Sequence, residues 1–456
     1  VQSELRSALS DPGRCVSDPD AMLAHRSDHA LFTSAGVPVA VVFPTSTHEV
    51  SAVCAIAFAH AVPIVPRGAG TGLSGGANAV DGCIVLCVDR MDSILEIDEV
   101  NGLAVVQPGV INGVLSAAVR AQGLFYPPDP GSQETSSIGG NVATNAGGLC
   151  CVKYGVTRDY VLELEVVLPD GRVLRTGRRS RKGVAGLDLT SLFTGSEGIL
   201  GVITQITVRL LRAPSTAVST VLAEFASLEA AGLAVQQIVA GCTPSLLEIM
   251  DSGSLSAVNQ WKQIDISPDV AAVLIARSDS PGGTAQADMA VIEKACHGAG
   301  AVAVYSTDDL DEGEMLVQVR RMAGTAMERL GSVLVDDVAI PISRLAEFLS
   351  GTQNIAARHR ANVCIIGHAG DGNMHPSVIF DPQDAEQSAT AMTTFEEIGL
   401  LGLELGGTIT GEHGVGLLKA DLLRTELGPV SLDVHRAIKA ALDPRNIMNP
   451  GKVFSQ

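Results

Sequence analysis

The sequence predicts an α+β fold built as two units, and three observations lead there. At 456 residues the chain exceeds what one hydrophobic core organises. From residue 36 to about residue 214, short apolar runs are separated by glycine-rich loops, the pattern of strands joined by turns. After Pro214 helices alternate with strands, which suits a second α+β unit with its helices on one face of an antiparallel sheet.

In chain order, VPVAVVFP reads as a strand and THEVSAVCAIAFAHA as a helix entered at Thr47, with Glu49 behind it. VPIVPRG, CIVLCVD and GLAVVQPGV are short buried strands, and INGVLSAAVRAQG opens a helix. VLELEVVLPDGRVLRT is a hairpin turning at Pro169-Asp170-Gly171, and GILGVITQITVRLL closes the first unit as one long strand. In the second unit, ASLEAAGLAVQQIVAG, ADMAVIEKACHGAG, GEMLVQVRRMAGTAMERL and ISRLAEFLSGTQNIAARHR are helices. Between and after them run the strands VAAVLIAR, VAVYS, VLVDDVAIP and NVCIIGH. A last helix, SLDVHRAIKAAL, precedes a tail rich in proline and asparagine.

The net charge of −19 argues against nucleic acid or an anionic membrane surface as a main partner, since either needs a basic face. The basic run RTGRRSRKG at 175–183 reads as a solvated loop. Nine cysteines with no close pairing and no signal peptide fit a reducing, cytoplasmic setting. No apolar stretch is long enough to span a bilayer.

The loop PRGAGTGLSGGAN spells G-x-G-x-x-G through Gly70, Gly72 and Gly75, but a turn and a strand follow where a nicotinamide site requires a helix. Successive backbone N–H groups can still cradle an anion there, with Arg67, Thr71 and Ser74 adding donors. A second glycine-rich loop, GSQETSSIGGNVATNAGG, offers Asn141, Thr144 and Asn145 to a flat heterocycle. Two such loops point to a large phosphorylated cofactor.

PRGAGTGLSGGA, PPDPGS, IGGNVATNAGG, KYG, LFTGSEGILGVIT and DPRNIMNPGK, in that order, resemble the FAD-linked oxidases of the vanillyl-alcohol oxidase type. More narrowly, the chain is similar to the D-lactate dehydrogenase and glycolate oxidase flavoprotein-subunit branch. The resemblance implies an FAD-binding domain over residues 1–214 and a cap or substrate domain over 215–420. Residues 421–456 would return to the FAD domain, and the site would lie between the two units. By match, Arg67, Gly68, Ala69, Gly70, Thr71, Gly72, Leu73, Ser74 and Gly75 carry the pyrophosphate. Pro130, Gly131 and Ser132 line the cofactor, with Gly139, Gly140, Asn141, Thr144, Asn145, Gly147, Gly148 and Tyr154. So do Glu197, Gly198, Gly201, Val202 and Ile203, and Asn449 approaches the flavin. Covalent relatives carry a histidine in the first glycine loop; this loop has none, so the FAD is expected to be non-covalent.

The stretch GHAGDGNMH brackets a glycine-rich turn with His368 and His375, and TGEHGVG places Glu412 beside His413. His368, His375 and Glu412 compose a His₂Glu set familiar for Zn²⁺, with Mn²⁺ or Fe²⁺ as alternatives. The resemblance implies the same three ligands, with His413 as base. The expected reaction is oxidation of a 2-hydroxy acid to the 2-oxo acid: His413 takes the hydroxyl proton and the α-hydrogen leaves as hydride to flavin N5. The substrate carboxylate needs a guanidinium, which Arg320 and Arg321 offer. Adjacent residues on a helix diverge by about 100°, so one of the pair faces the site, and alignment favours Arg320. Relatives that oxidise 2-hydroxyglutarate use a threonine and a lysine for the second carboxylate, and here those positions fall at Gly324 and Val335. This favours D-lactate, glycolate or a longer monocarboxylic acid over D-2-hydroxyglutarate. The resemblance leaves open a flavoprotein subunit that needs partner chains, a homo-oligomer, and the identity of the electron acceptor.

Overall fold

The computed structural model describes residues 1–214, 218–264, 267 and 269–454, so the expected boundary at residue 215 lies outside the described residues. The chain divides into two compact units, each interrupted. One holds Val1–Gly147, Val156–Ala213 and Glu412–Gln456; the other holds Gly148–Gly155 and Pro214–Gly411. The return to the first unit thus begins at Glu412, ahead of residue 421.

In the first unit β1 (Cys15–Val16), β2 (Ala40–Val42), β3 (Ile64–Arg67) and β4 (Ile84–Cys87) form a sheet in the order β1-β2-β4-β3. The pairs β2–β4 and β3–β4 are parallel, with helix Thr47–His60 as the crossover between β2 and β3. The helix starts at Thr47 as the sequence pattern suggests, and it is capped by the Ser46 side chain, which accepts from the Glu49 N–H. A second sheet is antiparallel. It comprises β5 (Ile94–Asp98), β6 (Leu103–Val106), β8 (Val161–Val167), β9 (Val173–Gly177) and β10 (Val202–Arg209), in the order β5-β6-β10-β8-β9. The β8–β9 hairpin forms as expected. The long closing strand does not: β10 stops at Arg209, and β11 (Leu211–Arg212) leaves the sheet to pair with β7 (Leu124–Phe125).

The second glycine-rich stretch is also not loop throughout. Residues Ile138–Thr144 are helical, capped at one end by Ser137 and closed at the other by Asn145 in a left-handed conformation, φ 55°. The glycines obscured a helix whose cap residues were legible.

The second unit is built on one eight-stranded sheet. Its strands are β12 (Ser219–Phe225), β13 (Leu246–Asp251), β14 (Ala272–Ser278), β15 (Ala303–Thr307), β16 (Ser332–Val335), β17 (Val338–Ala339), β18 (Asn362–His368) and β19 (Asn373–Phe380). Their order is β15-β12-β14-β13-β18-β19-β16, with β17 continuing β16 along β19, and every pairing is antiparallel.

The helices cover both faces rather than one. Leu247, Ile249, Leu274 and Ile365 point into a core shared with helices Leu228–Gly241, Gly283–Gly298, Leu345–His359 and Ala385–Glu404. Their strand neighbours Leu246, Met250, Val273, Ile275 and Ile366 point into another, shared with helices Ser252–Lys262 and Leu310–Glu328. Strands such as AVLIARS are apolar at successive positions because both sides are buried. Among the described residues no helix is long and apolar enough to cross a membrane. None of the nine cysteines forms a disulfide.

Candidate metal and cofactor site

The two histidines of GHAGDGNMH are not loop residues. His368 ends β18, His375 is the third residue of β19, and Ala369–Gly372 make the turn between them. The register pairs His368 with Asn373 and Ile366 with His375, so the imidazoles are diagonal neighbours on one sheet face. Their ring centroids lie 5.0 Å apart in an edge-to-face arrangement. Gly372 permits the turn: its φ is +84°, and an added Cβ would lie 2.2 Å from the Ile340 carbonyl oxygen.

Each histidine meets a carboxylate on its outer flanking strand. In β13, Ile249 pairs with Gly367, which sets Glu248 opposite His368. The Glu248 carboxylate is fully buried and lies 2.8 Å from His368 Nδ1. On the other side Val338 pairs with Met374 and Val335 with Ser377, which sets Asp337 opposite His375. Their Oδ1 and Nδ1 atoms are 3.7 Å apart, and Asp337 also accepts from Thr410 Oγ1 at 2.7 Å. A charge-bearing row Glu248, His368, His375, Asp337 therefore crosses the middle of an otherwise apolar sheet.

Helix Leu310–Glu328 covers this face. Its buried residues Val317, Arg320, Ala323 and Met327 recur at helical spacing, so Arg320 is carried inward while Arg321 is turned out. Arg320 Nε lies 2.8 Å from Glu248 Oε2. Arg321 instead pairs with Glu314 at the surface, 2.7 Å away.

Residues 408–411 are tied to this same sheet through the bridge of Ala339 with Thr408 and through Thr410. Glu412 and His413 follow directly. Of the expected ligands, His368 and His375 lie together in the second unit, with Asp337 beside His375. Glu412 belongs to the first unit, with His413 Nε2 4.0 Å from its Oε1. Imidazoles with carboxylates are the donor set of Zn²⁺, Mn²⁺ or Fe²⁺, so the residues fit a divalent metal.

In the first unit the cofactor candidates converge. Ser74 donates to the carbonyls of His413 and Gly414 at 3.2 and 2.8 Å. Glu197, held at φ 50°, accepts from the N–H groups of Val415 and Gly416 at 2.7 and 2.8 Å. Desolvation pushes its carboxyl up to about 7, against those two hydrogen bonds. Asn449 donates from Nδ2 to the carbonyls of Gly76 and Glu197, each at 2.9 Å, so its amide ties the C-terminal segment to the glycine loop. A side chain is excluded at Gly68 of that loop, where a Cβ would sit 2.6 Å from Ser137 Oγ. Bare backbone of this kind is what a pyrophosphate needs for close approach.

Several candidates have protein partners instead. Asn141 joins Asn112 and Ser136, at 3.0 and 3.1 Å, and Asn145 accepts from the Arg158 N–H at 2.8 Å. Gly201 is a packing glycine, whose Cβ would meet Val166 and the Val167 carbonyl, and Val202 and Ile203 are strand residues of β10. Gly148 and Tyr154 belong to the second unit, where Lys153 and Tyr154 both donate to Asp279.

Residues 215–453 match the family described as FAD linked oxidases, C-terminal domain, more than half of the chain. The chain belongs to the FAD-linked oxidases. Residues 38–177 of this FAD-linked oxidase match the family's FAD binding domain. It is 43% identical over 449 residues to the glycolate oxidase subunit GlcD of Bacillus subtilis, covering 98% of this chain and 93% of that one. It is 36% identical to the probable mitochondrial D-lactate dehydrogenase of Danio rerio, covering 100% of this chain and 91% of that one. Among solved structures, 4-ethylphenol oxidase from Gulosibacter chungangensis superposes with a TM-score of 0.82 at 20% identity, covering 99% of this chain and 96% of that one. p-Cresol methylhydroxylase gives a TM-score of 0.82 at 18% identity over 100% and 96%. These two establish the shared fold of an FAD-binding domain with a cap.

The sequence reading missed Glu248 and Asp337. Both were signalled by acids inside apolar strands, SLLEIMD and VLVDDVAIP, where an unpartnered carboxylate is costly.

Proposed function

We propose that this chain is an FAD- and divalent-metal-dependent dehydrogenase that oxidises a small monocarboxylic 2-hydroxy acid, of the D-lactate or glycolate class, to its 2-oxo acid. The observation that carries the reading is the buried row of His368 and His375 with flanking carboxylates, under a helix that delivers Arg320. The names of the relatives, glycolate oxidase subunit and D-lactate dehydrogenase, support the substrate class. Residues 1–214 and 421–456 are assigned to FAD and 215–420 to the substrate. His375 and Glu412, with His368, would hold the metal, and Asp337 joins them on the geometry above. The glycine loop Arg67–Gly75 would receive the pyrophosphate of a non-covalent FAD.

When bound, FAD supplies two-electron acceptance and the metal supplies positive charge that favours an ionised hydroxyl. The chain's residues do the rest. Arg320 holds the substrate carboxylate by charge-assisted hydrogen bonds, which fixes the α-carbon. His413 takes the hydroxyl proton on an imidazole nitrogen. The α-hydrogen then departs with its electron pair, leaving the carbonyl. The thiols fit a cytoplasmic location. The relative named as a glycolate oxidase subunit favours a partner chain.

The test is anaerobic bleaching of the flavin absorbance by D- and L-lactate, glycolate and D-2-hydroxyglutarate, with and without a chelator. Bleaching by a monocarboxylate that chelation abolishes and metal restores is the expected result. Chelator-insensitive bleaching would overturn the metal assignment, and none with any acid would overturn the substrate class.

A further inference from the structure

We propose that Glu248 is a positioning residue serving two partners at once: it fixes the ring and tautomer of His368 and the guanidinium of Arg320. The proposal rests on the metal and substrate reading given above, which assigns Glu248 no role.

The geometry starts from register. Antiparallel pairing of β13 with β18 sets Glu248 opposite His368, and alternation turns both side chains to the face covered by helix Leu310–Glu328. That face is apolar around them: Leu246, Met250, Val317, Ala323 and Ile366 are buried there. A carboxylate with no exposed surface persists in such surroundings only when its oxygens are engaged. Glu248 divides its two oxygens. Oε1 faces His368 Nδ1 and Oε2 faces Arg320 Nε, each at 2.8 Å.

Each contact has a directional consequence. An ionised carboxylate only accepts, so it places the imidazole proton on Nδ1 and the ring lone pair on Nε2, the arrangement a metal ligand requires. On the arginine, Glu248 Oε2 holds the Nε end as a close ion pair at 2.8 Å without the alignment of a hydrogen bond, so it anchors the guanidinium by charge and leaves the terminal nitrogens for a second carboxylate. One side chain therefore sets the angle between the metal-binding ring and the carboxylate-binding fork. Those are the two fixed points for the hydroxyl and carboxylate ends of a 2-hydroxy acid. Glutamate is required in length as well as charge, because its oxygens bridge a neighbouring strand and a helix in another layer.

The experiment uses the full FAD-loaded chain carrying Glu248→Gln or Glu248→Asp, beside wild type. Gln keeps an acceptor for His368 but turns N–H donors toward Arg320; Asp keeps the charge and shortens the reach. Zn²⁺ and Mn²⁺ affinities are measured by titration with metal analysis, without substrate, and kcat and KM are measured separately with the bleaching acid. Flavin content and the melting temperature report folding. For Glu248→Asp, metal affinity falls by about 10- to 100-fold, the range for lost outer partners of a metal ligand, with flavin content retained. For Glu248→Gln, KM rises more than kcat falls, since the arginine is the partner disturbed. The reading is overturned if both variants keep wild-type metal affinity and KM within about twofold. A wild-type chain that binds no metal overturns the His368 half, whereas metal binding without turnover of any acid overturns only the substrate reading. If neither variant retains flavin, Arg320→Lys decides: Lys keeps the charge but lacks the planar guanidinium fork, and unchanged KM with it overturns the Arg320 half.

Discussion

Replacing Arg320 by methionine removes the guanidinium while keeping most of the side chain's length, and it separates Arg320 from its chain neighbour Arg321. The Arg320 and Glu248 side chains expose 8% and 0% of their surface and pair at 2.8 Å. Arg320→Met leaves Glu248 as a buried carboxylate without its cation, a change that costs about 3–5 kcal/mol. Arg321 and Glu314 pair at 2.7 Å but expose 37% and 39%, where solvent screens the charges. Arg321→Met therefore costs about 0–1 kcal/mol. Urea unfolding of both variants at pH 7 measures the difference. For activity, losing a charged hydrogen bond of about 1.5–3 kcal/mol lowers kcat/KM for the 2-hydroxy acid by roughly 10- to 150-fold in Arg320→Met. Equal destabilisation by the two substitutions, or Arg320→Met within about 1 kcal/mol of wild type, refutes the assignment of Arg320 as the inward arginine.

Three further outcomes follow from the geometry. His413→Ala removes the base and lowers kcat by about 10²- to 10⁴-fold while flavin stays bound; unchanged turnover in stopped-flow reduction rejects the role. Gly372→Ala combines a φ of +84° with a Cβ 2.2 Å from a backbone carbonyl, so it destabilises by more than the roughly 1–2 kcal/mol of left-handed strain alone. It also weakens metal binding, and a melting curve and metal analysis that match wild type contradict the hairpin geometry. Burial pushes the Glu49 carboxyl up, but the Arg14 guanidinium and the N–H groups of Ser10 and Thr45 outweigh it and hold it well below its ordinary 4.5. Its stabilising contribution is therefore full above pH 4.5 and is lost as pH falls toward the folded value. Glu49→Gln is less stable at neutral pH by about 3–5 kcal/mol and has a shallower acid limb; parallel pH profiles count against it.

Local chemistry made much of this molecule readable. The hairpin β8–β9 follows from its Pro-Asp-Gly turn; helical spacing said that only one of Arg320 and Arg321 faces inward, and the family alignment chose Arg320. The histidine pair was visible because two imidazoles bracket glycines. What stayed hidden depends on pairing across the chain. Glu248 lies 120 residues from His368, and nothing local announces that their strands are neighbours. β19 was missed because Pro376 interrupts its pattern, a residue that ordinarily marks an edge strand. The helices on the second face escaped notice because a strand buried on both sides carries no alternation to reveal them.

The interleaving of the two units sets a timetable for biosynthesis. Glu197 finds its N–H donors at Val415 and Gly416, and Gly76 finds the Asn449 amide. These partners are translated only after residues 214–411, which belong to the other unit. At cellular elongation rates that intervening stretch takes roughly 10–40 s to make. The nascent N-terminal unit thus waits, hydrogen-bond donors missing, while its neighbour is completed. A ribosome-stalled chain ending at Gly411 would therefore carry the glycine loop without the segment that closes it.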